Sequence, residues 1–223
     1  MKSDKPVAKF ESNKIILDKS HNAMYVNLKN IDNGGIIKNL ISKEEITTLL
    51  NIYEQQKKIP VGLDGIVSHY KEGDVICSYR ATLFSKDLAN QIFSRIREFI
   101  PVVNGWEPLG INESFRYIDY VREGVLIPHY DGGYTDGEGN TSFMTLVIYL
   151  IQGEDGQTEF IREYRENNAE DWDRMANENE IIETANTKNG DALLFPHHTL
   201  HQGAKTSSRK VIIRTDIMYR KIK

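Results

Sequence analysis

The chain has a single cysteine, Cys77, among its 223 residues. One thiol cannot close an intrachain disulfide, and a cysteine-based zinc cluster needs several, so a disulfide-stapled secreted scaffold and a zinc ribbon are both excluded. Apolar runs long enough to cross a bilayer are missing too, so no membrane is expected as a partner. The N-terminal stretch MKSDKPVAKFESNK carries no apolar segment of the secretory-signal kind, from which a cytoplasmic protein is expected. No excess of one charge is present: 28 basic residues stand against 32 acidic ones, a net charge of -4. That balance offers no basic field for a phosphate backbone, and nucleic acid is disfavoured as a partner. What is there, 39% hydrophobic and 27% charged residues, is the composition of one globular domain with a sizeable core.

Three regions can be told apart. Residues 1–40 read as a polar arm with short β-like pieces, KIIL at Lys14 to Leu17 and MYVNL at Met24 to Leu28. Residues 41–100 read as supporting helices. Ser42 with Glu45 three positions on fits a capping box, opening a helix from about Lys43 to Gln56 with Ile46, Leu49, Leu50 and Tyr53 on one face. A second helix is predicted over Lys86 to Phe99, capped by Ser85 and striped by Leu88, Ile92, Ile96 and Phe99. Residues 110–220 change to short β-branched and aromatic runs: Ser114 to Val121, Val125 to Tyr130, Phe143 to Ile151, Thr158 to Arg162, Ala192 to Phe195 and Lys210 to Tyr219. Two connections stand out, a flexible glycine-rich loop from Asp131 to Asn140 and a long acidic insert from Glu163 to Gly190 that contains Trp172.

His129 and Asp131 are two positions apart, so on a strand both side chains leave the same face. A third ligand would come from His197, His198 or His201 in LFPHHTLHQG. Two histidines and a carboxylate on one face, with the remaining positions open, suit a non-haem iron(II) oxygenase, in which oxygen and a co-substrate must both reach the metal. An H-x-D tripeptide alone is common. The weight therefore rests on the blocks around it.

Those blocks are WEPLGINESFRYIDYVREGVLIPHYDGGY, SFMTLVIYL, GQTEF, NGDALLFPHHTLHQG and KVIIRTDIMYR. In order and spacing they resemble the prolyl 4-hydroxylase-like branch of the iron(II) and 2-oxoglutarate-dependent oxygenases, over roughly Ser42 to Arg220. The resemblance implies a mainly β fold with flanking α-helices, built on a double-stranded β-helix (jelly-roll, cupin-like) core. It also implies iron(II) held by His129, Asp131 and His201, with 2-oxoglutarate and O2 as co-substrates and ascorbate as an accompanying reductant. Lys210 matches the basic residue that pairs with the far carboxylate of 2-oxoglutarate, Tyr149 the tyrosine that hydrogen-bonds it, and Tyr120 another tyrosine of that pocket. Thr145 shares the strand face of Tyr149 and is placed with them.

Three departures from the family pattern bear on these assignments. Glu123-Gly124 stands where the family often has a glycine three residues after the tyrosine. Asp155-Gly156-Gln157-Thr158-Glu159-Phe160 lacks the first glycine of the usual Gly-Gly-x-Thr-x-Phe. One residue fewer separates His201 from Lys210, which leaves Arg209 and Arg214 as rival carboxylate anchors. Trp106, Trp172 and Cys77 read as packing residues, and Tyr134 sits on a loop that could close over a substrate.

The resemblance implies a C–H hydroxylase that releases succinate and carbon dioxide, acting on a prolyl residue of a protein or peptide. The alternatives are a hydroxylase of a free amino acid or other small molecule, or a non-catalytic metal-binding jelly-roll. A fold does not transfer a substrate, and the loops that would choose one carry no readable motif.

Overall fold

The computed structural model describes residues 15–18, 22–163 and 172–222. Lys14 and His21, and part of the acidic insert, lie outside these residues. Two sheets face each other. The larger holds nine strands among the described residues, in the order β1 (Met24–Asn27), β2 (Gly35–Lys38), β11 (Ala192–Pro196), β8 (Thr141–Ile151), β13 (Lys210–Lys221), β6 (Ser114–Tyr120), β4 (Ser78–Phe84) and β3 (Ile59–Val61), with β5 (Trp106–Ile111) also paired to β13. The smaller runs β10 (Ile181–Ala185), β9 (Thr158–Ile161), β12 (His201–Gly203) and β7 (Leu126–His129). All pairings are antiparallel. This is the double-stranded β-helix that the resemblance implies.

Two helices, α1 (Lys43–Glu54) and α2 (Lys86–Ile96), cover the outer face of the larger sheet. The capping box at Ser42 is formed in both directions: the Ser42 hydroxyl accepts from the Glu45 amide at 3.2 Å, and the Glu45 carboxylate accepts from the Ser42 amide at 2.8 Å. Ser85 caps α2 by accepting from the Leu88 amide. Leu49, Tyr53, Leu88, Ile92 and Ile96 form one core with Phe115, Tyr117, Ile148 and Ile213 of the sheet. Residues 15–18 dock here as well, although not as a strand. The Gln91 side chain accepts from the Leu17 amide and donates to the Ile15 carbonyl, and Arg95 donates to the Asp18 carbonyl.

Alternation along β8 separates two interiors. Met144, Leu146, Ile148 and Leu150 face the helices, while Val147 and Tyr149 face the smaller sheet with Ile118, Tyr120, Phe160, Leu193, Phe195 and Ile212. A strand buried on both faces reads as a continuous apolar run, which is how Phe143 to Ile151 is recognisable in sequence.

The acidic insert is more than a loop. Its far end forms β10, which pairs with β9 and extends the smaller sheet. The glycine-rich loop also differs from expectation. Asp136 accepts from the amides of Glu138 and Asn140, and Thr135 bridges Thr141, so the segment closes as a tight hairpin on β8.

Candidate metal centre

β7 and β12 are neighbours in the smaller sheet, and their register sets His129 directly opposite His201. The two imidazole rings lie 4.2 Å apart between centroids. Asp131 follows the end of β7, where its amide donates to the His197 carbonyl at 3.1 Å and holds the chain in place. One donor atom from each of His129, Asp131 and His201 can be chosen so that all lie within 4.8 Å of one another. Nε2 of His129 is 3.9 Å from Oδ1 of Asp131, and Nε2 of His201 is 3.7 Å from Oδ2.

The protons on the two rings are already committed. Nδ1 of His129 is 2.8 Å from the Ile127 carbonyl and Nδ1 of His201 is 2.9 Å from the Thr199 carbonyl. A carbonyl only accepts, so each Nδ1 carries the hydrogen and each Nε2 presents a lone pair toward Asp131. Burial pushes His129 down to about 3, reinforced by His201 and opposed by Asp131, and burial lowers His201 too. Both rings are therefore neutral at physiological pH. Burial would raise the Asp131 carboxyl, but its net shift is downward, and with both rings neutral it is the Arg214 guanidinium and the hydrogen bond from the Thr145 hydroxyl that hold the group ionised. Two neutral imidazoles and a carboxylate whose donor atoms converge are a donor set that fits iron(II).

A hydrogen-bonded chain behind Asp131 fixes it further. Thr145 donates to Oδ2 at 2.6 Å, because a carboxylate can only accept. The Thr145 oxygen must then accept from Nδ1 of His197 at 2.9 Å. Burial lowers the His197 pKa, so the ring is neutral and its Nε2 accepts from the Ser142 hydroxyl at 2.9 Å. Ser142 in turn accepts from the Tyr134 amide at 2.8 Å. The Pro196-His197-His198 sequence was the signal for this relay, but it reads first as a candidate ligand set.

Thr145 is thus at Asp131, not beside the hydroxyl of Tyr149. Four residues along a strand span about 13 Å, which separates side chains that share a face. The Tyr149 hydroxyl meets that of Thr158 at 2.7 Å at the other end of the chamber. There Lys210, only 1% exposed, has its ammonium 5.0 Å from the centre of the Tyr120 ring and 5.7 Å from that of Tyr149, and donates to the Gly156 carbonyl. Burial pulls its pKa to about 7, opposed by Glu159 and Asp155. No carboxylate lies within ion-pair distance of it among the described residues.

The rival anchors are placed elsewhere. Arg209 turns outward to Asp119 at 2.8 Å and Glu54 at 2.7 Å. Arg214 is at the triad, with Nε 3.0 Å from Oδ1 of Asp131 but without hydrogen-bond geometry, and Nη2 3.1 Å from Asp216. The departures from the family pattern are absorbed by turns. Glu123 takes φ +67°, the left-handed region that favours the glycine commonly found there, and Tyr120 stays buried. Asp155, in place of the first glycine, accepts from the Ser207 amide.

In front of His129 and Asp131 opens a cleft of about 680 Å³, walled by Arg80, Arg116 and Arg214 and rimmed by Ile66, Val67 and Tyr130. Sequence reasoning gave Arg80 and Arg116 no role. Arg80 sits on β4, a strand outside those expected from the sequence.

No protein-family profile and no curated protein sequence matches this chain. Solved structures do. A Pseudomonas putida prolyl-4-hydroxylase superposes with a TM-score of 0.56 at 11% identity, covering 83% of this chain and 92% of its own. A Trichoplax adhaerens prolyl hydroxylase, solved with a hypoxia-inducible-factor peptide fragment, gives 0.55 at 15% identity and covers 84% of each chain. EvdO2 from Micromonospora carbonacea, solved with 2-oxoglutarate, gives 0.52 at 13% identity and covers 90% of this chain and 95% of its own. At these identities the likeness shows a shared fold and nothing finer.

Proposed function

We propose that this protein is an iron(II)- and 2-oxoglutarate-dependent dioxygenase that hydroxylates a C–H bond. The observation that carries the reading is the converging set of two neutral imidazole Nε2 atoms and one ionised carboxylate at His129, His201 and Asp131. Iron(II) held there would supply the oxidation by dioxygen, with one oxygen atom entering the hydroxylated substrate and the other the succinate formed as 2-oxoglutarate loses carbon dioxide. Lys210 would pair with the far carboxylate of 2-oxoglutarate, and Tyr120 and Tyr149 would wall the pocket. An enclosed ammonium with one carbonyl partner is costly unless an anion joins it, and a dicarboxylate supplies one. Thr145, through Asp131, orients the metal side instead of binding the co-substrate.

For the substrate, the motif resemblance favours a prolyl residue of a protein or peptide. The arginine-walled cleft favours the second reading, a free amino acid or other small molecule with an anionic group.

Anaerobic titration with iron(II) and 2-oxoglutarate tests the assignment. His201→Ala should lose iron(II) binding while keeping its unfolding midpoint, and Lys210→Ala should weaken 2-oxoglutarate far more than iron. Iron binding that survives His201→Ala would overturn the ligand set.

A further inference from the structure

Arg80 on β4, Arg116 on β6 and Arg214 on β13 stand on three adjacent strands and all reach the cleft in front of His129 and Asp131. The register sets Arg116 directly across from Arg214, and Arg80 across from Ile118, two residues further along β6. Like charges opposed across strands destabilise a sheet unless something neutralises them. Among the described residues two carboxylates lie within ion-pair distance of these guanidiniums. Asp216 is shared, 3.1 Å from Nη2 of Arg214 and 3.2 Å from Nη2 of Arg116. Asp131 lies beside Arg214, but its charge belongs to the metal set. Arg80 is in ion-pair contact with neither, Asp131 acting on it only from farther off: its Nε is shut off from solvent without a hydrogen-bond partner, and no carboxylate pairs with it among the described residues. Asp64, also in the cleft wall, is turned to His69 at 2.6 Å and to the Ile66 amide.

A cleft wall with surplus guanidinium charge is expensive when empty and well matched to an oxyanion, which a planar guanidinium receives through parallel N–H bonds. We propose that the substrate is held in this cleft by an oxyanion, a carboxylate or a phosphate group, seated between Arg80 and Arg116 beside the His129 and Asp131 side of the metal centre. The inference rests on the oxygenase reading and narrows it to anionic substrates. Lys210, Tyr120 and Tyr149 do not line the cleft, although Arg80 is near enough to Tyr120 for the two to interact, so the second arm below separates the two sites. Burial also presses Arg80 toward its neutral form, a strain that a bound anion would relieve.

Thermal melting of the metal-free full-length protein, titrated separately with sodium acetate and with inorganic phosphate, tests the inference without requiring turnover. Either anion should raise the midpoint of the wild type and of Lys210→Ala, and leave Arg80→Gln and Arg116→Gln unmoved; the more effective of the two identifies the group. Stabilisation that is absent from the wild type, equal in the arginine variants, or lost only in Lys210→Ala would overturn the proposal. A second arm measures 2-oxoglutarate affinity in the iron-loaded protein, where Arg80→Gln should stay within about twofold of wild type. A loss there as large as that of Lys210→Ala would make Arg80 a co-substrate anchor and overturn the substrate assignment. Absence of iron binding in the wild type would instead bring down the oxygenase reading, and the metal-free arm would still stand or fall by itself.

Discussion

The Lys210 ammonium has three N–H donors when charged and meets one protein acceptor, the Gly156 carbonyl. Without a ligand it releases its proton near pH 7, well below the ordinary lysine value of 10.5, because burial outweighs the attraction of Glu159 and Asp155. Tyr120 and Tyr149, the rings packed on it, are themselves pushed up by burial and remain neutral. A carboxylate partner favours the charged form, so binding of 2-oxoglutarate should take up a proton once the pH exceeds about 7 and none well below it. Affinity should therefore fall as pH rises from about 7 to 9, and the dependence should vanish in Lys210→Met. Calorimetric titration in buffers of different ionisation enthalpy reads the proton directly, and an affinity flat across this range would contradict the placement. The stability of the ligand-free protein has the opposite sign. Between about 7 and 10.5 the unfolded chain holds a proton that the folded one has released, so stability rises with pH there. The sequence motifs point to Lys210, Tyr149 and the triad because each lies at a fixed offset from a recognisable block. Thr145 shows the limit of such reasoning, since strand alternation gives the face a side chain takes but not which end of the chamber it serves.

Most elements with a local signal follow it, KIIL excepted, since residues 15–18 dock on Gln91 and Arg95 without forming a strand. The Ser42 capping box, the stripes of α1 and α2 and the doubly buried β8 are all readable, because each is written in adjacent residues. β4 is less plain, although Arg80, Thr82 and Phe84 face the cleft while Ala81 and Leu83 face the core in a strand's period of two, because Arg80 interrupts its apolar text. β12 is too short, at three residues, for any period to show. β10 is hidden by the acidic text around it. At the element scale the telling contact is Glu45, which caps α1, pairs with Arg95 of α2 at 2.6 Å and accepts from the Asp18 amide at 2.6 Å. Arg95→Ala leaves that buried carboxylate without its cation and should cost about 3 kcal/mol, against about 1 kcal/mol for Ser42→Ala, which removes a single cap hydrogen bond. Urea unfolding measures both, and equal losses would mean that the ion pair does not tie the helices together.

Over the whole molecule, one sheet carries two interiors with different tasks. Its outer face is filled by helices and apolar side chains and supplies cohesion. Its inner face exchanges part of that packing for Lys210, Arg214, Arg116 and Arg80, charged groups that a purely structural sandwich would have no reason to enclose. The smaller sheet supplies the two histidines by a cross-strand register that no spacing in the sequence could reveal. On the proposed reading, the inner chamber couples oxidation of a substrate by dioxygen to the oxidative decarboxylation of 2-oxoglutarate. The most direct test of that coupling is succinate formation from 2-oxoglutarate after oxygen is admitted to protein loaded anaerobically with iron(II). The account predicts succinate from the wild type, with or without a stimulating substrate, and none above background from His129→Ala. Iron-loaded wild type that binds 2-oxoglutarate yet yields no succinate with any peptide, amino acid or phosphorylated small molecule, or equal succinate from His129→Ala, would contradict it.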